Sequence, residues 1–299
     1  MMRTPVAEVE ISDDLVRRLL ADQHPDLASR PLGRRIDGWD NAMFRLGHDL
    51  AVRLPRRALG AEISAAEHEH LPVISQRWTF PAPVPLRLGA PAEGFPWEWS
   101  VVPWIDGDIA FDDPLTDLGA RDLGVAIAQI QQSPTAGAPH NPYRSGTLPE
   151  VAELFDTRLR ALVDAGVVAM DAADVLRGLV EAGAAIDEPE RRWAHLDLHG
   201  ANVIVRGGRL AGIVDWGDAA LADPATDLGQ ACTLVGLVHA DALLEAYGTA
   251  EGPMRVGAGS EGRARVMARA AAYGVTLASI AEEPYRSTGL DAIAGLAWN

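Results

Sequence analysis

The sequence predicts an α+β protein with a small β-rich N-terminal lobe and a larger helical C-terminal lobe. Three observations carry this prediction. Apolar and polar residues alternate over residues 43–54, a Pro-rich stretch with strand-like runs spans 81–107, and helical periodicity takes over from about residue 115. The change of pattern near Trp104 divides the 299 residues into an N-terminal lobe over 1–104 and a C-terminal lobe over 105–299.

Local patterns predict each element of the N-terminal lobe. Leu15, Leu19 and Leu20 share one face of a short helix that Ser12 can cap. Apolar residues alternate on both sides of the Gly47-His48-Asp49 turn, which is typical of a β-hairpin. The predicted elements are a helix over 12–22, the hairpin over 43–54, a helix over 58–70 that Pro72 ends, and strands over 84–88 and 97–104.

The C-terminal lobe reads as helices around one short β region. Leu118, Leu123, Ile127 and Ile130 are expected to share the apolar stripe of its first helix. Three prolines and two glycines between Ser133 and Pro149 indicate a loop. The predicted helices span 115–132, 150–165, 171–185, 225–247, 261–281 and 289–297, with the β region over 193–214.

Composition excludes several classes of protein. The 26 basic residues are all Arg and face 42 acidic residues, so the net charge of −16 argues against a nucleic-acid binder. Without Lys there is no Walker A lysine and no Schiff-base lysine. The single Cys232 cannot form an internal disulfide. No apolar run is long enough for a membrane helix or a signal peptide, so we expect a cytoplasmic protein that does not bind membranes.

The net negative charge lies almost wholly in the C-terminal lobe. The chain contains 12 Arg and 14 acidic residues through Trp104, but 14 Arg and 28 acidic residues after it. An acidic helical lobe can attract a cationic small molecule and raise its encounter rate. It can equally serve only to keep the protein in solution, and the sequence does not decide between the two.

The most informative stretch runs from Trp193 to Gly229. Two strand-like runs flank the Gly207-Gly208 turn and predict a hairpin. This hairpin brings Asn202, before its first strand, close to Asp215, after its second. A carboxylate and an amide oxygen suit a hard cation such as Mg²⁺, which keeps waters and phosphate oxygens as its other ligands.

Asp197 lies on the same loop, five residues before Asn202. Its carboxylate could take the proton from an attacking hydroxyl group. A base for the nucleophile together with metal ligands for the charged phosphates is the arrangement that phosphoryl transfer requires.

These residues carry a resemblance to a known family. The run from His195 to Asn202 has the H-x-D-x-x-x-x-N spacing of kinases, and Asp215-Trp216-Gly217 matches their D-F-G. The whole stretch resembles the signature of the aminoglycoside phosphotransferase family, whose members include aminoglycoside and macrolide kinases. The segments 38–41, 51–57, 99–107 and 141–144 also resemble actinobacterial members. The resemblance implies a bilobal protein-kinase-like fold.

The resemblance implies roles for the C-terminal motif. Asp197 becomes the catalytic base, Asn202 and Asp215 the Mg²⁺ ligands, and His195 a brace for the loop. Asp218 and His199 are candidates to contact the acceptor. The remaining acids of the motif, Asp223 and Asp227, are expected to hold the metal loop and cap the next helix. Two positions depart from the family pattern, because Leu196 replaces the usual Gly and Gly200 the usual Pro.

The resemblance also implies a nucleotide site in the N-terminal lobe. In a chain without Lys, Arg53 would hold the phosphates of ATP or GTP, since a guanidinium can bind phosphate with two hydrogen bonds. Glu67 is the expected ion-pair partner of Arg53, with Glu62 and Glu69 as competitors. Asp40 and Asn41 would lie in the loop over the phosphates. Backbone groups of Val102 and Trp104 would bind adenine.

The resemblance leaves the acceptor open. An antibiotic hydroxyl on an aminoglycoside or a macrolide is the first hypothesis, and Trp193, Trp216 and Trp298 are candidate walls for an apolar acceptor. A kinase of an ordinary metabolite such as choline, homoserine or a sugar-like alcohol is the second. A non-catalytic nucleotide-binding protein is the third, suggested by Leu196, Gly200 and the missing Lys. The expected partners are a nucleotide and a small-molecule hydroxyl acceptor, and the expected oligomeric state is a monomer or a homodimer.

Overall fold

A computed structural model describes residues 5–298, with side chains through residue 297. Its chain forms two compact units. The sheet unit comprises the described residues up to Gln76, Pro81–Asp106 and Val214–Gly217, and the helical unit comprises Arg77–Phe80, Gly107–Ile213 and the described residues from Asp218 onward.

The sheet unit extends two residues beyond the boundary predicted after Trp104, to Asp106, and two further short segments depart from that boundary. The 77–80 segment belongs to the helical unit, where the Trp78 indole donates to the carbonyl of Gln129 at 3.2 Å. The 214–217 segment belongs to the sheet unit, where the backbone N–H of Trp216 donates to Glu67 at 3.1 Å. Both exceptions arise from contacts between residues distant in sequence, which a composition shift along the chain does not reveal.

The sheet unit is built on one antiparallel sheet of five strands, in the order β1-β2-β3-β5-β4. The buried leucines of helix α1 pack against the apolar face of this sheet, which includes Phe44 and Trp99. The elements are α1 (Asp13–Gln23), β1 (Leu32–Asp37), β2 (Asn41–Leu46), β3 (Leu50–Pro55), α2 (Ala58–Ile74), β4 (Arg87–Gly89) and β5 (Trp99–Pro103).

Several N-terminal predictions are confirmed. Ser12 caps α1 by accepting from the N–H of Leu15, and β2 and β3 form the expected hairpin. Strand β1 was not predicted, since its charged residues are mostly exposed and show no alternation. The prediction that Pro72 ends the second helix is wrong. The helix continues to Ile74, because Pro72 lies in the last turn and Leu71 and Ile74 anchor that turn in the core.

The helical unit packs most of its helices against one another. Helix α8 contacts α5, α6 and α9, while α3 packs against α7. Small sheets join β6 to β8 and β9, and β7 to β10. The elements are β6 (Asp108–Ile109), α3 (Asp117–Ile130), α4 (Leu148–Asp164), α5 (Met170–Ala184), β7 (Arg192–Ala194), β8 (Val203–Arg206), β9 (Arg209–Ile213), β10 (Ala220–Ala222), α6 (Ala225–Val235), α7 (Ala240–Thr249), α8 (Glu261–Ala278) and α9 (Tyr285–Trp298).

The predicted hairpin of this unit is present, and two other predictions need correction. Strands β8 and β9 pair with Val203 opposite Ile213, and Gly207 and Gly208 both have positive φ, as a tight hairpin turn requires. The single helix predicted over 225–247 is interrupted at Gly236, whose φ is 79°. Leu118 is 58% exposed and does not belong to the apolar stripe of α3.

Within residues 5–298, the structure contains no helix with the length and apolarity that a membrane crossing demands.

Candidate active site

Asp197 is the centre of a polar cluster in the helical unit. Its Oδ1 atom lies 2.6 Å from Nη1 of Arg144, and its Oδ2 atom lies 3.4 Å from Nε2 of His199. Burial opposes ionisation, but the bond from His199 and the charge of Arg144 outweigh it and hold the pKa of Asp197 below its usual value. The carboxylate is therefore ionised at neutral pH and is able to accept a proton.

The two histidines hold this loop through backbone hydrogen bonds. Nδ1 of the fully buried His195 accepts from the N–H of Asp197 at 3.2 Å. Nδ1 of His199 accepts from the N–H of Ala201 at 3.2 Å. The proton of a neutral His199 ring must then lie on Nε2, which faces the carboxylate of Asp197. His199 thus contacts the predicted base, whereas His195 shapes the loop from inside the core.

Asn202 is oriented by the same loop. Its Nδ2 atom donates to the backbone carbonyl of Asp197 at 3.0 Å, so the amide is fixed with its oxygen directed elsewhere. Only the Oδ1 atom of this side chain is an acceptor, and it is the atom a hard cation would use.

Two positions that depart from the family pattern have physical explanations. Leu196 has φ of 68°, a left-handed conformation that normally favours glycine, and its side chain is fully buried beside Ala194, Ala220 and Ala222. A Cβ atom at Gly200 would lie 2.2 Å from the ring of Phe111, so this position must lack a side chain. Core packing outweighs backbone strain at Leu196, and the Phe111 ring excludes proline at Gly200.

We expect an inverted order of stability at Leu196. Alanine and glycine variants both lose a fully buried side chain, at a cost of about 2–5 kcal/mol. Alanine keeps the strain of the left-handed backbone, whereas glycine releases about 1–2 kcal/mol of it. Leu196→Gly should therefore be more stable than Leu196→Ala by about 1 kcal/mol in urea unfolding. The usual order, with alanine above glycine, would contradict this account of the backbone.

Asp227 supports the loop from the core. It is fully buried, and its two oxygens accept from the N–H groups of His195 at 2.7 Å and Leu196 at 2.9 Å. Gln230 adds a second clamp, because it accepts from the N–H of Leu198 and donates to the carbonyl of Leu196, both at 2.9 Å. Asp223 accepts from the N–H of Ala225, the first residue of α6, although Pro224 and not Asp223 occupies the N-cap position of this helix.

A pH-dependent stability follows from Asp227. Burial raises its pKa from 3.8 to about 6 despite the two backbone hydrogen bonds. Between about pH 4 and 6 the folded state keeps a proton that the unfolded state releases, so this residue's contribution to stability falls as pH rises. We expect the advantage of the wild type over Asp227→Asn in unfolding free energy to shrink by a few kcal/mol across this range. Unfolding by urea at several pH values measures it, and a constant difference would refute the raised pKa.

Arg53 and Glu67 form the predicted ion pair in the sheet unit. Nη2 of Arg53 lies 2.7 Å from the Glu67 carboxylate, and both side chains are buried. Burial disfavours the charge on Arg53, but the carboxylates of Glu67, Asp215 and Asp40 outweigh it and raise the pKa of the guanidinium. Arg53 therefore stays charged although it is buried. The other oxygen of Glu67 accepts from Trp216, which joins the Asp215-Trp216-Gly217 segment to this pair.

Asn41 completes the pair, while Asp40 has a different partner. With the Asn41 amide oriented so that its oxygen faces Arg53, this oxygen accepts from Nη2 and Nε of Arg53 at 3.0 and 3.2 Å, and the amide nitrogen donates to Ser64 at 3.2 Å. Asp40 instead accepts from Arg57 at 2.6 and 3.0 Å. The two residues expected over the phosphates thus lie beside two different arginines.

The expected adenine-binding strand differs in one respect. Val102 is buried in β5 opposite Ala51. The backbone N–H of Trp104 already donates to the carbonyl of Asp49 at 2.8 Å, so this donor is engaged within the protein. The Trp104 ring lies under the guanidinium of Arg45, 4.8 Å from the ring centre. Of the backbone groups of Trp104, the carbonyl is therefore the one left for the predicted contact with a base.

Sequence reasoning missed three contributors. Arg144 pairs with both Asp197 and Asp218, the latter at 2.8 Å. Phe111 and Tyr285 pack their rings around His199, with ring centres 6.2 and 5.2 Å away. The resemblance of the 141–144 segment was the one available signal for Arg144. Among the tryptophans considered for an apolar wall, Trp193 and Trp216 are buried in the core, and the side chain of Trp298 lies outside the described residues.

The site contains no cluster of three metal-ligating side chains. Among residues 5–297, no group of three or more His, Cys, Asp or Glu side chains is arranged to hold a metal ion. Mg²⁺ that binds together with nucleotide needs only one or two protein oxygens, because phosphates supply its other ligands. The amide oxygen of Asn202 and the carboxylate of Asp215 are each of the hard oxygen type that this ion prefers.

Comparison with known proteins identifies similar chains. A family model described as the phosphotransferase enzyme family matches residues 33–269. A search of curated proteins found no significant match. Solved structures of similar fold include a GDP complex of aminoglycoside 2'-phosphotransferase-IIIa, 18% identical with a TM-score of 0.62 over 96% of this chain and 99% of that one. Macrolide 2'-phosphotransferase MphH from Brachybacterium faecium is 22% identical, with a TM-score of 0.58 over 94% and 98% of the two chains.

A third similar structure is the streptomycin–ATP ternary complex of APH(2'')-IIa, 15% identical with a TM-score of 0.58 over 91% of this chain and 96% of that one. At such identities the likeness shows the fold alone. The α+β, protein-kinase-like fold class expected from the sequence is confirmed over nearly the whole length.

Proposed function

The chain belongs to the phosphotransferase enzyme family, and on that premise we propose that it transfers the terminal phosphate of ATP or GTP to a hydroxyl group of a small molecule. The observation that carries this proposal is the Asp197 carboxylate. It is ionised and held at both oxygens on a loop that also carries Asn202. A fixed carboxylate of this kind can orient an acceptor hydroxyl and take its proton as the phosphate is transferred.

Within this proposal, Arg53 binds the phosphates of the nucleotide. Glu67 and Asn41 hold its guanidinium in one orientation, so little side-chain entropy is lost when phosphate binds. Bound Mg²⁺ would neutralise charge on the transferred phosphate. Asn202 would hold it through its amide oxygen and Asp215 through its carboxylate, since hard oxygen donors suit this ion. His195 would keep the loop in shape, and His199 would orient the base.

An antibiotic hydroxyl is the acceptor class we propose. Similar structures were solved with kanamycin, streptomycin and gentamicin, and others are macrolide 2'-phosphotransferases. Support from this chain comes from the rings of Phe111, His199 and Tyr285, which pack next to Asp197 and suit a ring-bearing acceptor. The proposed cellular consequence is antibiotic resistance.

The test is ADP or GDP release by the purified protein with Mg²⁺ and nucleotide. Aminoglycosides, macrolides, choline, homoserine and sugar alcohols are offered as acceptors, with Asp197→Asn as the blank. We expect stimulation by an antibiotic that disappears in the variant. Stimulation by metabolites alone would replace the proposed acceptor class, and nucleotide binding without transfer to any acceptor would contradict the proposed reaction.

A further inference from the structure

Four of the five carboxylates between residues 195 and 227 have partners within the helical unit, and the fifth, Asp215, belongs to the sheet unit. Arg144 bridges two of them, with Nη1 at 2.6 Å from Asp197 and Nε at 2.8 Å from Asp218. Asp223 is fully buried and pairs with Arg265 at 2.5 Å and Arg269 at 3.3 Å. The fourth, Asp227, is buried, and its two oxygens accept hydrogen bonds from backbone N–H groups. The strong acidity of the C-terminal part of the chain therefore does not extend to these four groups.

Arg144 is held in place by its own turn. The side-chain oxygen of Asn141 accepts from the N–H of Arg144 at 3.1 Å, and its nitrogen donates to Asp218 at 2.8 Å. On the other side of Arg144, the carbonyl of Gly146 accepts from Arg269 at 2.9 Å. The guanidinium is therefore fixed between Asp197 and Asp218 before any acceptor binds.

We propose that Arg144 is a specificity-determining residue that selects neutral or singly charged acceptors against polycations. The inference rests on the proposed function, since it assumes that the acceptor hydroxyl lies beside Asp197. An ammonium group of a polycation would need the carboxylates that Arg144 already occupies, and the guanidinium would repel it. A neutral hydroxyl or a single distant amine meets no such opposition.

The aromatic rings next to Asp197 also favour acceptors that are not polycations. Phe111 and Tyr285 are half-buried and meet edge to face, with centres 5.1 Å apart, and His199 packs on both. His199 also contacts Asp197. The apolar surfaces of these rings lie next to a carboxylate whose negative charge Arg144 compensates. Such surroundings favour an acceptor with apolar faces over a highly hydrated polycation.

Calorimetry of ligand binding tests the proposal without requiring turnover. The ligands are kanamycin, a polycation, and a macrolide with a single amino group. The proteins are the wild type, Arg144→Gln, Arg144→Lys and the matched control Arg121→Gln, which breaks an exposed pair with Glu245 in the same unit. We expect the wild type to favour the macrolide, and Arg144→Gln to bind kanamycin at least tenfold more tightly, a gain that high salt removes.

Arg144→Lys and Arg121→Gln should keep the wild-type preference, because both leave a positive charge at position 144. Equal or tighter binding of kanamycin by the wild type would overturn the proposal, as would an unchanged kanamycin affinity in Arg144→Gln. A phosphate-transfer assay on kanamycin and the macrolide tests the proposed function separately from the role of Arg144. Absence of transfer would count against the proposed function, whereas the two binding measurements, wild-type preference and the change in kanamycin affinity, decide the role of Arg144.

Discussion

Replacing Asp197 with asparagine is expected to lower the kcat of phosphate transfer by about 10²–10⁴-fold while the affinity for nucleotide stays the same. Asparagine preserves the shape of the side chain but cannot accept the proton of the attacking hydroxyl. Arg144 and His199 each contact a different carboxylate oxygen, so one of them also loses its acceptor, because the amide nitrogen of asparagine is a donor. Initial rates with the best acceptor and calorimetric titration with nucleotide measure the two quantities separately.

Asp122→Asn is the matched control for this experiment. Asp122 also pairs with an arginine of the helical unit, Arg209, at 2.6 Å, but the pair is at the surface. The control should keep the wild-type rate, because exposed ion pairs contribute little to stability. A full rate in Asp197→Asn would show that the base lies elsewhere. A parallel loss of nucleotide affinity would show that the substitution disturbs more than proton transfer.

Glu67→Ala is expected to destabilise the protein by about 3–5 kcal/mol, because it leaves the buried guanidinium of Arg53 without its carboxylate. The backbone N–H of Trp216 would lose its acceptor as well. Urea unfolding measures the loss, and nucleotide titration should show weaker binding in the same variant. A loss below 1 kcal/mol would mean that solvent or Asn41 replaces the carboxylate.

A double variant separates the structural role of this pair from its functional role. In Arg53→Met with Glu67→Leu, both charges are replaced by apolar groups of similar size, which is often close to neutral for stability. We expect this variant to recover most of the stability lost in Glu67→Ala and still to bind nucleotide poorly. Recovery of nucleotide binding together with stability would remove Arg53 from the phosphate site.

The sequence predicted the parts of the site that local rules govern. The Gly207-Gly208 turn determines the β8–β9 hairpin, since both glycines adopt the positive φ that the turn demands. The pairing of Arg53 with Glu67, by contrast, was implied by the family resemblance, which left Glu62 and Glu69 as competitors, and the structure contains this pair. Helix bounds were less accurate, because Pro72 and Gly236 act according to their position within a helix rather than by residue type alone.

The fold class, the spacing of Asp197, Asn202 and Asp215, and the absence of lysine from the chain can all be read from the sequence alone. Which of the charged side chains lack a partner can be known only from the folded chain. Arg144 reaches Asp197 and Asp218 through a loop whose path depends on packing elsewhere, and Arg265 and Arg269 neutralise Asp223 from another helix. Net charge along a chain cannot describe such pairs, because electrostatic energy depends on distance in space and on burial.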